Sequence, residues 1–208
     1  MKTDTLLRSV FLVIILEIFY CSNAFAQLTL GVGFAGMKYY GEGSDRPLSV
    51  GFNANLAIEL SSKTRVVLEP TFFFPVSYSN YQNINNIPSV KTNEQLKTLE
   101  SAALFQFDLI GNNKGGAVIY IAAGPSLISY NANVTRENAT QYNYVGNFND
   151  YMLDARAGVE IPFLFIFKLY GEVEVEPKIA TDFKNNSVSY APNVGSVMAA
   201  TIGLRIHI

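Results

Sequence analysis

The residues of the 208-residue chain with the most chemical promise are carboxylates spaced two apart. Glu172, Glu174 and Glu176 share one face of an extended segment, because side chains on a strand alternate between its two sides. Asp154 and Glu160 take the same face of the preceding segment, which the corner Pro162-Phe163-Leu164 folds back alongside. Such a set suits two chemistries: oxygen ligands for a hard cation, or the acidic halves of buried ion pairs. Arg156, Lys168, Arg205, Arg65 and Lys63 have the parity to share that interior, and a buried charge needs a partner. Ion pairing is therefore the expected chemistry, with Glu160 near Lys168, Arg156 near Glu172, and Glu59 near Lys63 or Arg65.

Catalytic constellations are scarce. His207 is the single histidine, so any histidine-based acid–base mechanism must use it. It falls on the polar face at the end of the last segment, and the nearest serine, Ser196, lies a whole strand away. Gly31-Val32-Gly33-Phe34-Ala35-Gly36 imitates a phosphate loop, yet it sits within a strand and no helix follows. Cys21 is the only cysteine and precedes the expected cleavage point, which leaves no disulfide, thiolate metal site or cysteine nucleophile downstream. The expectation is a non-enzymatic protein without cofactor or metal.

The elements that must position these groups begin after a targeting segment. Lys2 and Arg8 flank the apolar stretch Val10 to Tyr20, and Ala24-Phe25-Ala26 supplies small residues where a signal peptidase reads. Residues 1–26 are thus expected to be a signal peptide and 27–208 a single domain. Beyond residue 26 the dominant period is two. Leu28, Leu30, Val32 and Phe34 open the pattern, and Leu48 to Leu60 continues it. Further alternating stretches run over 65–76, 99–109, 117–130, 153–161, 165–176 and 197–208, the fifth weakly around Gly124-Pro125. Ser61-Ser62, Gly111 to Gly115 and Pro162 to Leu164 make short connections; Asn80 to Gln95, Asn131 to Asp150 and Thr181 to Val194 read as long loops, the segments expected to be least ordered. Gly41 to Arg46 is a modest first loop. Short and long alternate, so an all-β, eight-stranded antiparallel up-and-down barrel with both ends of the domain on one side accounts for the order.

Composition decides which face meets what. With 49% hydrophobic and 15% charged residues and a net charge of −2, no broad basic face exists for nucleic acid. Fourteen strand charges fall on the polar face: Glu59, Lys63, Arg65, Glu69, Glu100, Asp108, Asp154, Arg156, Glu160, Lys168, Glu172, Glu174, Glu176 and Arg205. Only Lys38 and Lys97 fall on the apolar one, near the long-loop end where a lysine can snorkel. The rest of the polar face is Gly, Ala, Ser, Thr and Asn, small enough for an eight-stranded lumen. Strands of about 10 to 14 residues suit a tilted hydrocarbon span. Tyr39, Tyr40, Tyr78, Tyr81, Tyr130 and Tyr151 fit an aromatic girdle. The apolar face is expected to meet lipid and the fourteen charges to form a lumenal ion-pair network.

The signal peptide, the eight alternating strands and the closing Gly203-Leu204-Arg205-Ile206-His207-Ile208 resemble the small outer-membrane β-barrel families of Gram-negative bacteria typified by OmpX-like, OmpA-transmembrane-like and PorT-like domains. The likeness covers essentially the whole domain. It departs at the end: those families usually close on an aromatic residue, and here the last residue is Ile208. It implies export to the outer membrane, contact with outer-membrane lipid, insertion by the barrel-assembly machinery, and external loops that bind an extracellular or envelope protein. The alternatives are a small porin-like channel or transport or secretion accessory, a lipid-acting enzyme, and a soluble periplasmic ligand-binding barrel.

Overall fold

A sheet with one apolar and one polar face must cover one of them, and closing on itself does so without a second layer. The computed structural model describes residues 27–40, 46–84, 87–112, 115–164, 166–183 and 195–207. The expected signal peptide, most of the first loop and residues 184–194 of the third long one lie outside them. The strands are β1 (Leu28–Tyr40), β2 (Ser49–Glu59), β3 (Thr64–Ile84), β4 (Ile87–Asn112), β5 (Gly115–Arg136), β6 (Tyr144–Leu164), β7 (Phe167–Glu176), β8 (Lys178–Phe183) and β9 (Ser196–His207). All pairings are antiparallel, each of the strands β1 to β6 pairs with the next, and β9 joins β7 to β1. Pro177 only divides one stave in two: β8 stays on β6, and the Leu153 N–H donates to the Pro177 carbonyl at 3.1 Å. The ring therefore has the eight staves that the alternation predicts.

Its polarity is inverted relative to a soluble barrel. Phe34 is 72% exposed and Ile202 62%, whereas Asp154 and Glu160 are fully buried. Along β4 the outward residues are Leu109, Phe107, Phe105, Ala103, Ser101 and Leu99, and then the apolar run stops at Lys97. Eleven residues at roughly 3.3 Å each, tilted about 45°, cover about 25 Å, the height of a membrane barrel's apolar band. Apolar exposure on this scale is tolerated in lipid and not in water.

Three expectations are corrected. Asn80 to Gln95 and Asn131 to Asp150 are mostly strand rather than loop: β3 pairs with β4 out to Ile84 and Ile87, and β5 with β6 out to Val134 and Tyr144. Both faces of these extensions are largely polar, so the alternation that marks a half-buried strand is absent from their sequence. The girdle is only partial. Tyr40, Tyr81 and Tyr151 face outward, but Tyr39 and Tyr130 are buried inside the barrel, and Tyr78 turns inward towards Arg46. Finally, the β3–β4 register shifts between Phe73 and Val76, so Val76 opposes the inward Leu96 instead of continuing the outward row. Pro75 lacks an N–H to give to the ladder, and a bulge is where a strand accommodates that.

Glycines make room for the largest lumenal rings. Tyr120 lies across from Gly158 and Tyr170 across from Gly203, and a Cβ on either glycine would clash with the facing ring. Gly171, on the outer face, has ordinary clearance. Gly158→Ala should lower stability by about 1–3 kcal/mol through overpacking, while Gly171→Ala should stay within about 0.5 kcal/mol of the parent, both read by urea unfolding in lipid vesicles.

Candidate functional site

The inward residues form tiers, and the half nearer the short turns is ionic. Arg156 on β6 is its hub. Its Nη1 lies 2.6 Å from Glu69 and 3.1 Å from Glu172, its Nη2 2.6 Å from Asp154 and 3.4 Å from Glu100, and its Nε 2.8 Å from Glu174. Planar guanidinium suits such multidentate pairing better than a lysine's point charge. Glu172 also reaches Arg205, whose Nη1 contacts Glu160 at 2.5 Å. Glu160 then joins Arg65 at 2.8 Å and Lys168 at 3.6 Å, and Arg65 reaches Asp108 at 3.6 Å. The predicted pairs Glu160 with Lys168 and Arg156 with Glu172 are both present.

Neutral groups complete the tier. Arg205 stacks 4.1 Å from the Tyr170 ring centre and 5.5 Å from that of Tyr120. The Tyr120 hydroxyl donates to Glu172, and the Tyr170 hydroxyl donates to Asn53 at 3.0 Å and accepts from Asn55 at 3.1 Å. Gln106 donates to Asp108, and Ser126 to Glu176. These neutral partners lie at polar-face positions, so parity alone marks them out. Oxygens of Glu100, Glu174 and Glu176 lie within 4.8 Å of one another. Arg156 already reaches the first two and Ser126 bonds the third, so the acids are met by this chain's own groups.

Two of the fourteen expected network residues stand apart. Lys63 is exposed in the turn before β3, where its carbonyl accepts the Asp108 N–H; its side chain is outside the lumen because the strand starts one residue later. Glu59 is at the rim and meets neither Lys63 nor Arg65 within ion-pair distance. Its partner is His207, at 3.4 Å, which also lies 3.0 Å from the Thr29 hydroxyl. His207 is thus held at the rim by a carboxylate and a threonine, with no serine among these contacts.

Towards the long-strand end the lumen turns apolar. Met37, Tyr39, Phe73, Leu96, Ile128, Tyr130, Phe148 and Met152 pack across it, with the Tyr130 and Phe148 rings stacked 4.6 Å apart. Above this layer Arg46 is buried and grips Glu94 through two hydrogen bonds of 3.1 and 3.0 Å, with Tyr39 and Tyr78 rings 5.6 and 5.8 Å away. Lys38 fixes the Arg46 carbonyl from outside. Both members of this pair fall in segments read as loops, so parity gave no warning of them.

The second candidate surface is the sheet beyond the apolar band, made of β3, β4, β5 and β6. Each strand changes its outward residues at one row: Pro75 to Ser77, Leu99 to Lys97, Leu127 to Ser129, Tyr151 to Asn149. Past that row the outward residues are mainly amides and hydroxyls, with cross-strand bonds from Asn131 to Asn147 at 2.8 Å and from Ser79 to Asn93 at 2.5 Å. Near the tip Lys91 pairs with Glu137 at 2.8 Å, and that hydrogen bond holds its ammonium above the usual lysine range.

No family model matches the sequence, and no curated protein does. Solved structures do match. Ail, the attachment invasion locus protein of Yersinia pestis, aligns over 88% of this chain and 99% of its own with a TM-score of 0.53 at 12% identity. OprG from Pseudomonas aeruginosa gives 0.55 at 10% identity over 88% and 96%. Neisserial surface protein A gives 0.51 at 13% over 86% and 96%. The chain has the fold of the small Gram-negative outer-membrane β-barrel proteins.

Proposed function

We propose that the protein is a non-enzymatic integral outer-membrane barrel whose lumen is closed by its ion pairs and apolar tier, and whose projecting sheet binds a protein partner outside the cell. The observation that carries the reading is unequal strand length: β3, β4, β5 and β6 have 21, 26, 22 and 21 residues, against 13, 11 and 12 for β1, β2 and β9. The surplus stands beyond the apolar band as an ordered, four-stranded sheet. Its β3 margin has no partner strand past Phe73 among the described residues, because β2 pairs only from Arg65 to Phe73. An open margin offers backbone donors and acceptors to an incoming extended segment. Recognition on a rigid scaffold resides in such projections. Closure of the lumen follows from size: eight staves leave space that side chains fill.

Location is tested first. The protein should fractionate with outer membranes and migrate faster unboiled than boiled on a gel; a folded monomer soluble without detergent would sink the reading. Tags inserted at Asn138 should be reached by antibody on intact cells and tags at Ser62 should not, and the reverse pattern would invert the orientation.

Closure is tested by current. The parent barrel should show no steady conductance in planar bilayers. Arg156→Ala leaves five carboxylates without their common cation and should cost about 3–5 kcal/mol, or open a measurable current, since one partner of a buried network is removed. Lys91→Ala, at the exposed tip, should do neither. A large steady current from the parent would instead make the protein a small diffusion channel.

A further inference from the structure

The buried charges of the ionic tier do not cancel. Leaving aside Glu59 at the rim, and Glu94 and Asp150 towards the long-strand end, eight buried carboxylates share the lumen with four buried bases, Arg65, Arg156, Lys168 and Arg205. The imbalance is local. Near the short turns Asp108, Glu160 and Glu172 are matched by Arg65, Lys168 and Arg205. The other five acids, Glu69, Glu100, Asp154, Glu174 and Glu176, have only Arg156 among them, so the contacts around that guanidinium meet oxygens without balancing charge. Away from water such an excess is costly unless a cation joins it.

Two buried oxygens mark where the excess gathers. Glu176 is fully buried and forms no ion pair among the described residues; its Oε2 accepts from the Ser126 hydroxyl at 2.5 Å, and its Oε1 has no donor among them. Asp154 Oδ2 accepts from Arg156, and its Oδ1 has no donor either. The β6–β7 register, with Ala155 opposite Val175, sets Asp154 beside Glu176, and the Asp154 charge bears on Glu100, Glu174 and Glu176 alike. Lys178, beyond Pro177, is half-buried, and its charge bears on Asp150 instead. Oxygens of Glu100, Glu174 and Glu176 lie within 4.8 Å of one another, so a point exists no more than about 2.8 Å from all three, close to the roughly 2.3–2.6 Å of calcium coordination. Ile128 and Met152, the next inward positions after Ser126 and Asp154, cap the place with the apolar tier. Magnesium, which sheds its water reluctantly, suits so dry a pocket poorly.

The geometry points to a calcium site inside the lumen, held by Glu100, Glu174 and Glu176 with Asp154 Oδ1 as a fourth oxygen, at the level where the ionic tier meets the apolar one. The ion halves the local excess of negative charge and ties β4, β6 and β7 together across the barrel. The site lies within the lumen, independent of what the projecting sheet binds.

The test refolds the protein into phosphatidylcholine vesicles, which offer no anionic headgroup, in calcium or in EDTA, since both ends of the lumen are closed once the barrel has formed. One calcium ion should remain per barrel after desalting, and the urea midpoint should be higher in calcium than in EDTA. Glu176→Gln should lower calcium affinity at least about tenfold, because affinity follows the number of charged ligands. In EDTA the same variant should unfold at higher urea than the parent, because it removes one uncompensated charge. Glu100→Gln should show the same loss of calcium, and Glu137→Gln, at the exposed tip, should retain the ion like the parent. Equal midpoints of the parent in calcium and EDTA would overturn the proposal, since protons or water would then be meeting the acids. Undiminished calcium retention by Glu176→Gln and Glu100→Gln would overturn it too, as would magnesium retained as tightly as calcium. The gel shift of every variant confirms a folded barrel, so a lost site is read separately from a lost fold.

Discussion

A peptide group in hydrocarbon has no water to bond with, so every N–H and C=O across the apolar band needs a partner in the wall itself. That requirement closes the sheet, and β9 pairing with both β7 and β1 completes it. Closure with only eight staves fixes a narrow interior. The narrow interior then forces every inward charge close to every other, and Arg156 is where five carboxylates converge. The glycines opposite Tyr120 and Tyr170 follow from the same crowding, since two rings that ligate the network need room across the strand.

How much of this is readable in the sequence depends on contrast between the faces. Where lipid lies outside and charge inside, as along Leu153 to Ile161, period two places each residue correctly. Where both faces are polar, as from Asn80 to Gln95, the same backbone geometry leaves no periodic trace. The opposite loss occurs in β5, where Ile128, Ala132 and Val134 point inward and are apolar, so alternation fades. Asn, Ser and Tyr suggest loops by habit, yet they fit a sheet with solvent on both sides.

Pairing was legible across tight turns and illegible across the seam. Glu160 with Lys168 follows from one short corner. Glu59 with His207 requires knowing that the last strand returns beside the first, a contact 148 positions apart in the chain. The upper pair, Arg46 with Glu94, needs both the continuation of β4 and the placement of Arg46 just ahead of β2. Lys63 fails by one residue, which on a strand is the difference between inside and outside.

The long staves are consecutive: β3, β4, β5 and β6 rise together while β9, β1 and β2 stop near the boundary. Among the described residues the wall consequently has a tall side and a low side, and its rotation about the membrane normal is not a matter of indifference. A neighbour diffusing in the plane meets a tall strand wall from one bearing and shorter strands from the other. The barrel thus carries an azimuth: what a neighbour in the membrane plane faces depends on its bearing as well as on its distance.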